Sequence, residues 1–328
     1  VSVPALADGS ITVFNWYDYI DESVIKDFEK ETGIKVKYAN FTTNEEMYAK
    51  IASGAGNYDV IFPSDYIIER MIREDGLEKL NLDNIPNVEG VVDWLKNPDY
   101  DPTGEYSVPY MWGTVGILYN TDLVEEDITS WTSMFDETYK KDVFMMDSIR
   151  DTLGVTLKML GYSLNSKEPD QMEAAKNALI EQKQKGIVKG YLVDETKDKM
   201  ISGEAALALM WSGDALYAMA EAEELAYVVP EEGSNVWADG MCIPKGCQNK
   251  EGAEAFINFL CRPDIARRNM EYIYYSTPIQ AVVDEMDEEE KNNLTLNPTP
   301  DIIDRCEFFH DISEDMALYT DIWNAIRG

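Results

Sequence analysis

The chain has 328 residues, with 62 Asp and Glu against 28 Lys and Arg, giving a formal net charge of −34. That balance excludes a basic face for nucleic acid and favours cationic ligands or plain solubility. The length suits two domains, 45% hydrophobic residues exclude global disorder, and no apolar run of about 18 residues exists to cross a membrane as a helix.

Residues 1–10 have no charged n-region and no long apolar run, so they read as a flexible lead-in and not as a signal peptide. Residues 11–14 (Ile-Thr-Val-Phe) are β-branched and apolar and predict a buried strand. A helix follows over 22–32, with Val24, Ile25 and Phe28 on one face and Gly33 where a left-handed cap is needed. Residues 34–39 alternate and predict a second strand. Thr43-Asn44-Glu45-Glu46 is a capping box that starts a second helix. Residues 58–62 predict a third strand and 67–74 a third helix. Strand-helix repetition of this kind marks an open α/β sheet.

Residues 99–110 are rich in Pro, Gly and Tyr and read as loop and extended chain, with a strand over 115–120. A second α/β pattern then begins. It has strands at 143–146, 205–211 and 225–229, helices at 151–160 and 171–185, and an extended segment at 237–243. Helices follow over 250–261 and 263–271, the second opened by Pro263. Residues 285–291 read as a charged linker and 313–326 as the last helix. Cys242, Cys247, Cys261 and Cys306 lack zinc spacing and are read as small buried thiols, with a disulfide between two of them as the alternative.

Three stretches set an indole beside a carboxylate: Trp16-Tyr17-Asp18-Tyr19, Trp211-Ser212-Gly213-Asp214 and Trp237-Ala238-Asp239. An indole face attracts a cation through its quadrupole and a carboxylate attracts it through charge, so the pair suits an organic ammonium. Ligands of open α/β sheets bind outside the carboxyl ends of the strands. Trp16–Tyr19 and Ser64-Asp65-Tyr66 are expected at such ends, on one edge of one sheet. Each candidate also has a plainer reading. The indoles suit a core, Asp18, Asp239 and Asp151 suit turns or helix starts, Ser64 suits a cap, and Tyr66 and Tyr275 suit packing. No phosphate-cradling loop, nucleophile elbow, calcium loop or metal cluster is present, and His310 is the only histidine. No cofactor is called for.

Several motifs occur in a familiar order: Asn15-Trp16-x-Asp18-Tyr19, Asn44-Glu45-x-Met47-Tyr48-Ala49-Lys50 and Pro63-Ser64-x-Tyr66. They are followed by Val108-Pro109-Tyr110-x-Trp112-Gly113-Thr114, Trp237-x-Asp239 and Asn258-Phe259-Leu260-x-Arg262-Pro263-Asp264. Together they resemble the spermidine/putrescine-binding proteins of bacterial ABC importers, over about residues 11–278.

The resemblance implies a type II two-lobed periplasmic-binding-protein-like fold, each lobe an open sheet flanked by helices, with the ligand in a cleft that closes on it. Lobe 1 would be 1–118 plus 239–283, and lobe 2 would be 119–238 plus 284–328. The family's ligand residues fall here on Trp16, Asp18, Tyr19, Ser64, Tyr66, Asp151, Trp211, Asp214, Trp237, Asp239 and Tyr275. Tyr17, Ser148 and Phe309 depart from the pattern. The acid set mixes spermidine-type and putrescine-type features. The resemblance further implies a polyamine ligand, a membrane permease as partner, a monomer, and a place outside the cytoplasm, tethered upstream of Val1. A sugar receptor on the same architecture and a glycosidase using two carboxylates are the alternatives at this point.

Overall fold

A computed structural model describes residues 9–328. The expected lead-in over 1–10 falls mostly on residues 1–8, outside the described residues. In chain order the elements are β1 (Ser10–Trp16), α1 (Glu22–Thr32), β2 (Lys35–Phe41), α2 (Asn44–Ala52), β3 (Val60–Ile61) and α3 (Asp65–Arg73). Then come β4 (Val108–Asn120), β5 (Val143–Met146), α4 (Ile149–Met159), α5 (Pro169–Gln184), β6 (Val188–Leu192), α6 (Thr196–Ile201), β7 (Leu207–Trp211) and α7 (Ser212–Glu221). The rest are β8 (Leu225–Val228), β9 (Val236–Met241), α8 (Lys250–Leu260), α9 (Pro263–Ile273), α10 (Gln280–Glu285), α11 (Glu288–Asn292), α12 (Pro300–Asp304) and α13 (Met316–Arg327).

The chain forms two compact units. Unit 1 runs to Trp112 and resumes over Ala238–Glu289; unit 2 is Gly113–Trp237 and Glu290–Gly328. The sequence expectation divided the chain after 118, 238 and 283, whereas contacts divide it after 112, 237 and 289. All three divisions fall inside regular elements, β4, β9 and α11, so no loop marks them.

Unit 1 holds a parallel sheet in the order β2-β1-β3, with Ser10 opposite Lys35, Trp16 opposite Phe41 and Val13 opposite Val60. Helix α1 forms because Val24 and Phe28 share a buried face. The Asp21 side chain accepts from Ser23 N at its start, and Gly33 takes φ 76° at its end. In α2 Thr43 accepts from Glu46 N, and Glu46 answers by accepting from Thr42 N at 3.1 Å. Phe28 meets Phe256 and Phe259 of α8 edge-on, at 5.0 and 5.4 Å between ring centres. Parallel strands end at one edge, so the segments after β1, β2 and β3 gather there.

Unit 2 holds β6-β5-β7-β4-β8, with β5 parallel to β6 and β7, and β4 antiparallel to β7 and β8. Its core includes Ile117, Trp131, Met145, Leu157, Leu179, Leu209 and Tyr319. The Trp131 indole is satisfied by Gly233 O at 2.7 Å. The segments that follow β5, β6 and β7 start from one edge; Ser148 and Asp151, Asp194 and Lys197, and Asp214 lie in them, and Trp211 ends β7.

Several segments differ from the sequence expectation. The loop and extended chain expected over 99–110 runs into β4, which starts at buried Val108 and so before the strand expected over 115–120. The linker expected over 285–291 is occupied by the end of α10 and by α11. No α11 residue is buried, so α11 has no apolar stripe to announce it. β6, α6 and α7 were not anticipated; β6 is half-buried throughout and broken by Gly190. All four cysteines are free thiols, with Cys242 and Cys261 buried. Among the described residues no helix is long and apolar enough to cross a membrane, and no group of three or more His, Cys, Asp or Glu is arranged to hold a metal.

Candidate functional site

In unit 1 the carboxylate of Asp239 is the meeting point. It lies on β9 and is only 6% exposed. Oδ1 accepts from Ser64 Oγ and Oδ2 from the Tyr19 hydroxyl, each at 2.6 Å. Ser64 opens α3 but makes no side-chain cap bond there, so its hydroxyl serves Asp239 and not the helix. A bridge between Ser64 and Asp239 and a bond from Gly240 N to Pro63 O (2.9 Å) hold the two segments together. Asp65, also buried, accepts from Tyr66 N at 2.7 Å and from Ala238 N at 3.1 Å.

Burial pushes the Asp239 carboxyl up to about 6, against the hydrogen bonds from Ser64 and Tyr19. Burial also raises the phenols of Tyr19, Tyr100 and Tyr110, which sense this carboxylate. Among the described residues no cation is paired with Asp239. An ionised carboxylate in such surroundings favours an arriving positive group.

The other unit 1 candidates are arranged around this centre to different degrees. Tyr275 has its ring centre 6.4 Å from that of Tyr19. The Tyr66 hydroxyl is linked to Ser64 through Asn44, whose amide donates 3.0 Å bonds to both. The Trp16 indole N–H is used by Phe62 O at 2.8 Å, and its ring tilts against Phe41. Asp18 is exposed, takes φ 52°, and accepts from the Tyr272 hydroxyl at 2.5 Å. It is not joined to the Asp239 cluster by any hydrogen bond.

In unit 2 Asp151 and Trp211 come together. Asp151 sits in the first turn of α4, almost fully buried, and accepts from Ser148 Oγ at 2.6 Å. Burial raises its carboxyl above the ordinary value. Hydrogen bonds from Ser148 and the Trp211 side chain, and the Arg150 charge, oppose this. Trp237 packs on the same core as Trp211. Gly113 lets β4 pass against it, since a Cβ there would lie 2.7 Å from the indole and 2.6 Å from Ser212 Oγ. Asp214, in the first turn of α7, pairs with Lys197 at 3.4 Å. Burial raises its carboxyl and Lys197 opposes the rise.

Of the departures noted in sequence, Ser148 donates to Asp151, and its neighbour Asp147 is paired with Arg327 at 2.9 Å. Phe309 is buried, with the Arg150 guanidinium 4.4 Å from its ring centre. Tyr17 is 76% exposed. Asn44, Tyr272 and Lys197 were not singled out from sequence. Asn44 was visible as a capping-box position and within a family motif, Tyr272 only as one of three tyrosines beside the candidate Tyr275, and nothing local marks Lys197.

The family model described as bacterial extracellular solute-binding protein matches residues 23–297. This chain belongs to that family. It is a solute-binding protein and not an enzyme. It is 34% identical over 317 residues to the spermidine/putrescine-binding periplasmic protein of Salmonella typhimurium, covering 96% of this chain and 90% of that one. It is 30% identical to the putrescine-binding periplasmic protein SpuD of Pseudomonas aeruginosa, covering 96% and 91%. Among solved structures it is similar to the spermidine/putrescine ABC transporter substrate-binding protein PotD of Streptococcus pneumoniae, crystallised with calcium and HEPES. That likeness has a TM-score of 0.90 and 36% identity over 98% of this chain and 99% of the other. The fold is therefore the two-lobed α/β fold of periplasmic binding proteins.

Proposed function

We propose that this chain is the extracytoplasmic receptor of a polyamine ABC importer. It captures spermidine or putrescine and delivers it to a membrane permease, working as a monomer and without nucleic acid. The observation that carries this reading is Asp239, a buried carboxylate served by two hydroxyls and no cation. An alkyl-ammonium supplies the missing charge, and a neutral sugar does not. In unit 2, Asp151 beside Trp211 offers the same chemistry to an amine. The indole and phenol faces take the methylenes and add cation–π attraction of about 2 kcal/mol where desolvated. The names of the relatives support the same ligand class. No bond is made or broken.

The test is thermal unfolding with a panel of amines and sugars. A ligand at about a hundredfold over its Kd stabilises the native state by about 2.7 kcal/mol. Putrescine or spermidine is expected to raise Tm by several degrees, with sugars inactive. No shift with either amine at millimolar concentration removes the polyamine reading, and a shift with a sugar alone replaces it.

A further inference from the structure

We propose that Lys197 is a specificity-determining residue whose ammonium occupies Asp214 and withholds that carboxylate from one amine of the ligand. The proposal rests on the polyamine reading and goes beyond it in assigning a role to a residue of this chain.

The argument starts from topology. β5 is parallel to β6 and to β7, so the segments that follow all three strands lie at one edge of the unit 2 sheet. The segment after β5 carries Ser148 and Asp151, the segment after β6 carries Asp194 and Lys197, and the segment after β7 carries Asp214. Asp151 and Trp211 already share a hydrogen bond at this edge. Asp214 is therefore in the neighbourhood where an acid serves an amine.

Its position is taken from within. Lys197 Nζ lies 3.4 Å from Asp214 Oδ1 and 5.4 Å from the ring centre of Tyr217. A carboxylate, an aromatic face and a primary ammonium on four methylenes make up this group. That is the arrangement proposed for the ligand, since the lysine side chain is itself an aminobutyl arm. Both partners are only about one-third exposed, 36% for Lys197 and 28% for Asp214, so solvent screens the pair less than it would on an open surface. Asp194 also bears on Asp214, so the local balance is two acids and one base. Asp239 contrasts with this, since among the described residues no cation is paired with it.

A consequence follows for ligand choice. An ammonium that reaches this edge of unit 2 finds Asp151 without a lysine against it and Asp214 already neutralised. Removing the lysine charge frees one acid for the extra amine of a longer polyamine.

The experiment is calorimetry of putrescine, spermidine and spermine on the full chain, as wild type, Lys197→Met and Lys197→Met/Asp214→Asn. Methionine keeps the length and packing of the stem, and Lys197→Gln serves as a second variant should the first fold poorly. Lys197→Met is expected to tighten spermidine and spermine at least about fivefold relative to putrescine, and the double variant to lose that gain. A relative change under about twofold in both single variants overturns the proposal. So does a gain that persists in the double variant, because the effect would not run through Asp214. If the wild type binds no polyamine, the polyamine reading falls first and this inference with it. Binding by the wild type with no change in preference sinks the inference alone.

Discussion

Asp239 and Asp214 were read from the sequence in the same way, each a carboxylate close behind an indole, yet the fold treats them differently. Asp239 is buried beside two hydroxyls that donate to it, and its charge has no counter-charge among its partners. Asp214 is partly exposed and has Lys197 against it. Both carboxyls are raised by burial, but only Asp214 has a cation opposing the rise. A carboxylate left without a cation in low-dielectric surroundings has the most to gain from one. Proximity to an aromatic residue does not separate the two cases. The presence of a cation within the fold does.

The sharpest way to break the contrast is Asp239→Asn. Removing one partner of a buried charge pair costs about 2 kcal/mol or more, so polyamine Kd is expected to weaken by at least about thirtyfold in calorimetry. Near wild-type affinity would show that the buried acid is not the anchor.

A pH series tests the same residue without mutation. Ligand amines stay protonated well past neutrality, like lysine. Asp239 must be ionised to pair with them, and its carboxyl titrates near about 6. Affinity is expected to hold from pH 7 upward and to fall about tenfold between pH 7 and 5. In the empty protein the sign is opposite. The folded state holds this proton more tightly than the unfolded chain. Asp239 therefore contributes stability that is complete below its ordinary carboxyl value and is lost as pH rises through about 6. Opposite slopes for affinity and for stability across this window are the expected pattern, and parallel slopes contradict it.

The smallest effect is expected at Tyr272→Phe. This variant removes the bond to Asp18 between two exposed side chains. Exposed contacts of this kind contribute about 0–1 kcal/mol, so Kd is expected to change by less than about fivefold. A larger loss would place Asp18 beside Asp239 in importance.

Much of the fold was legible because local signals agreed with one another. The Val24/Phe28 face, Asp21 and Gly33 bound α1, and Thr43 with Glu46 started α2 as expected. β6 was missed because it is half-buried and carries a glycine, and α11 because no face of it is apolar. In the site, residue type was visible and direction was not. Asp18 and Tyr19 are neighbours, but the left-handed backbone at Asp18 turns its carboxylate to Tyr272 while the Tyr19 hydroxyl meets Asp239, 220 positions away in sequence. Among the three tyrosines at 272–275, Tyr272 meets Asp18 and Tyr275 stands near Tyr19, a distinction that depends on where the helix stops. Lys197 lay in a stretch with no recognised element, so its link to Asp214 had no precursor in the pattern.

Gly240, the residue after Asp239, carries no functional group. A Cβ there would stand 2.7 Å from Ile68 Cδ1 of α3 and 3.3 Å from Ser107 Cβ. Strand and helix run close there, and Ser64 reaches the carboxylate across the same seam. An alanine at this silent position would push first on the tip of Ile68, so its cost would measure how far the seam beside Asp239 can yield.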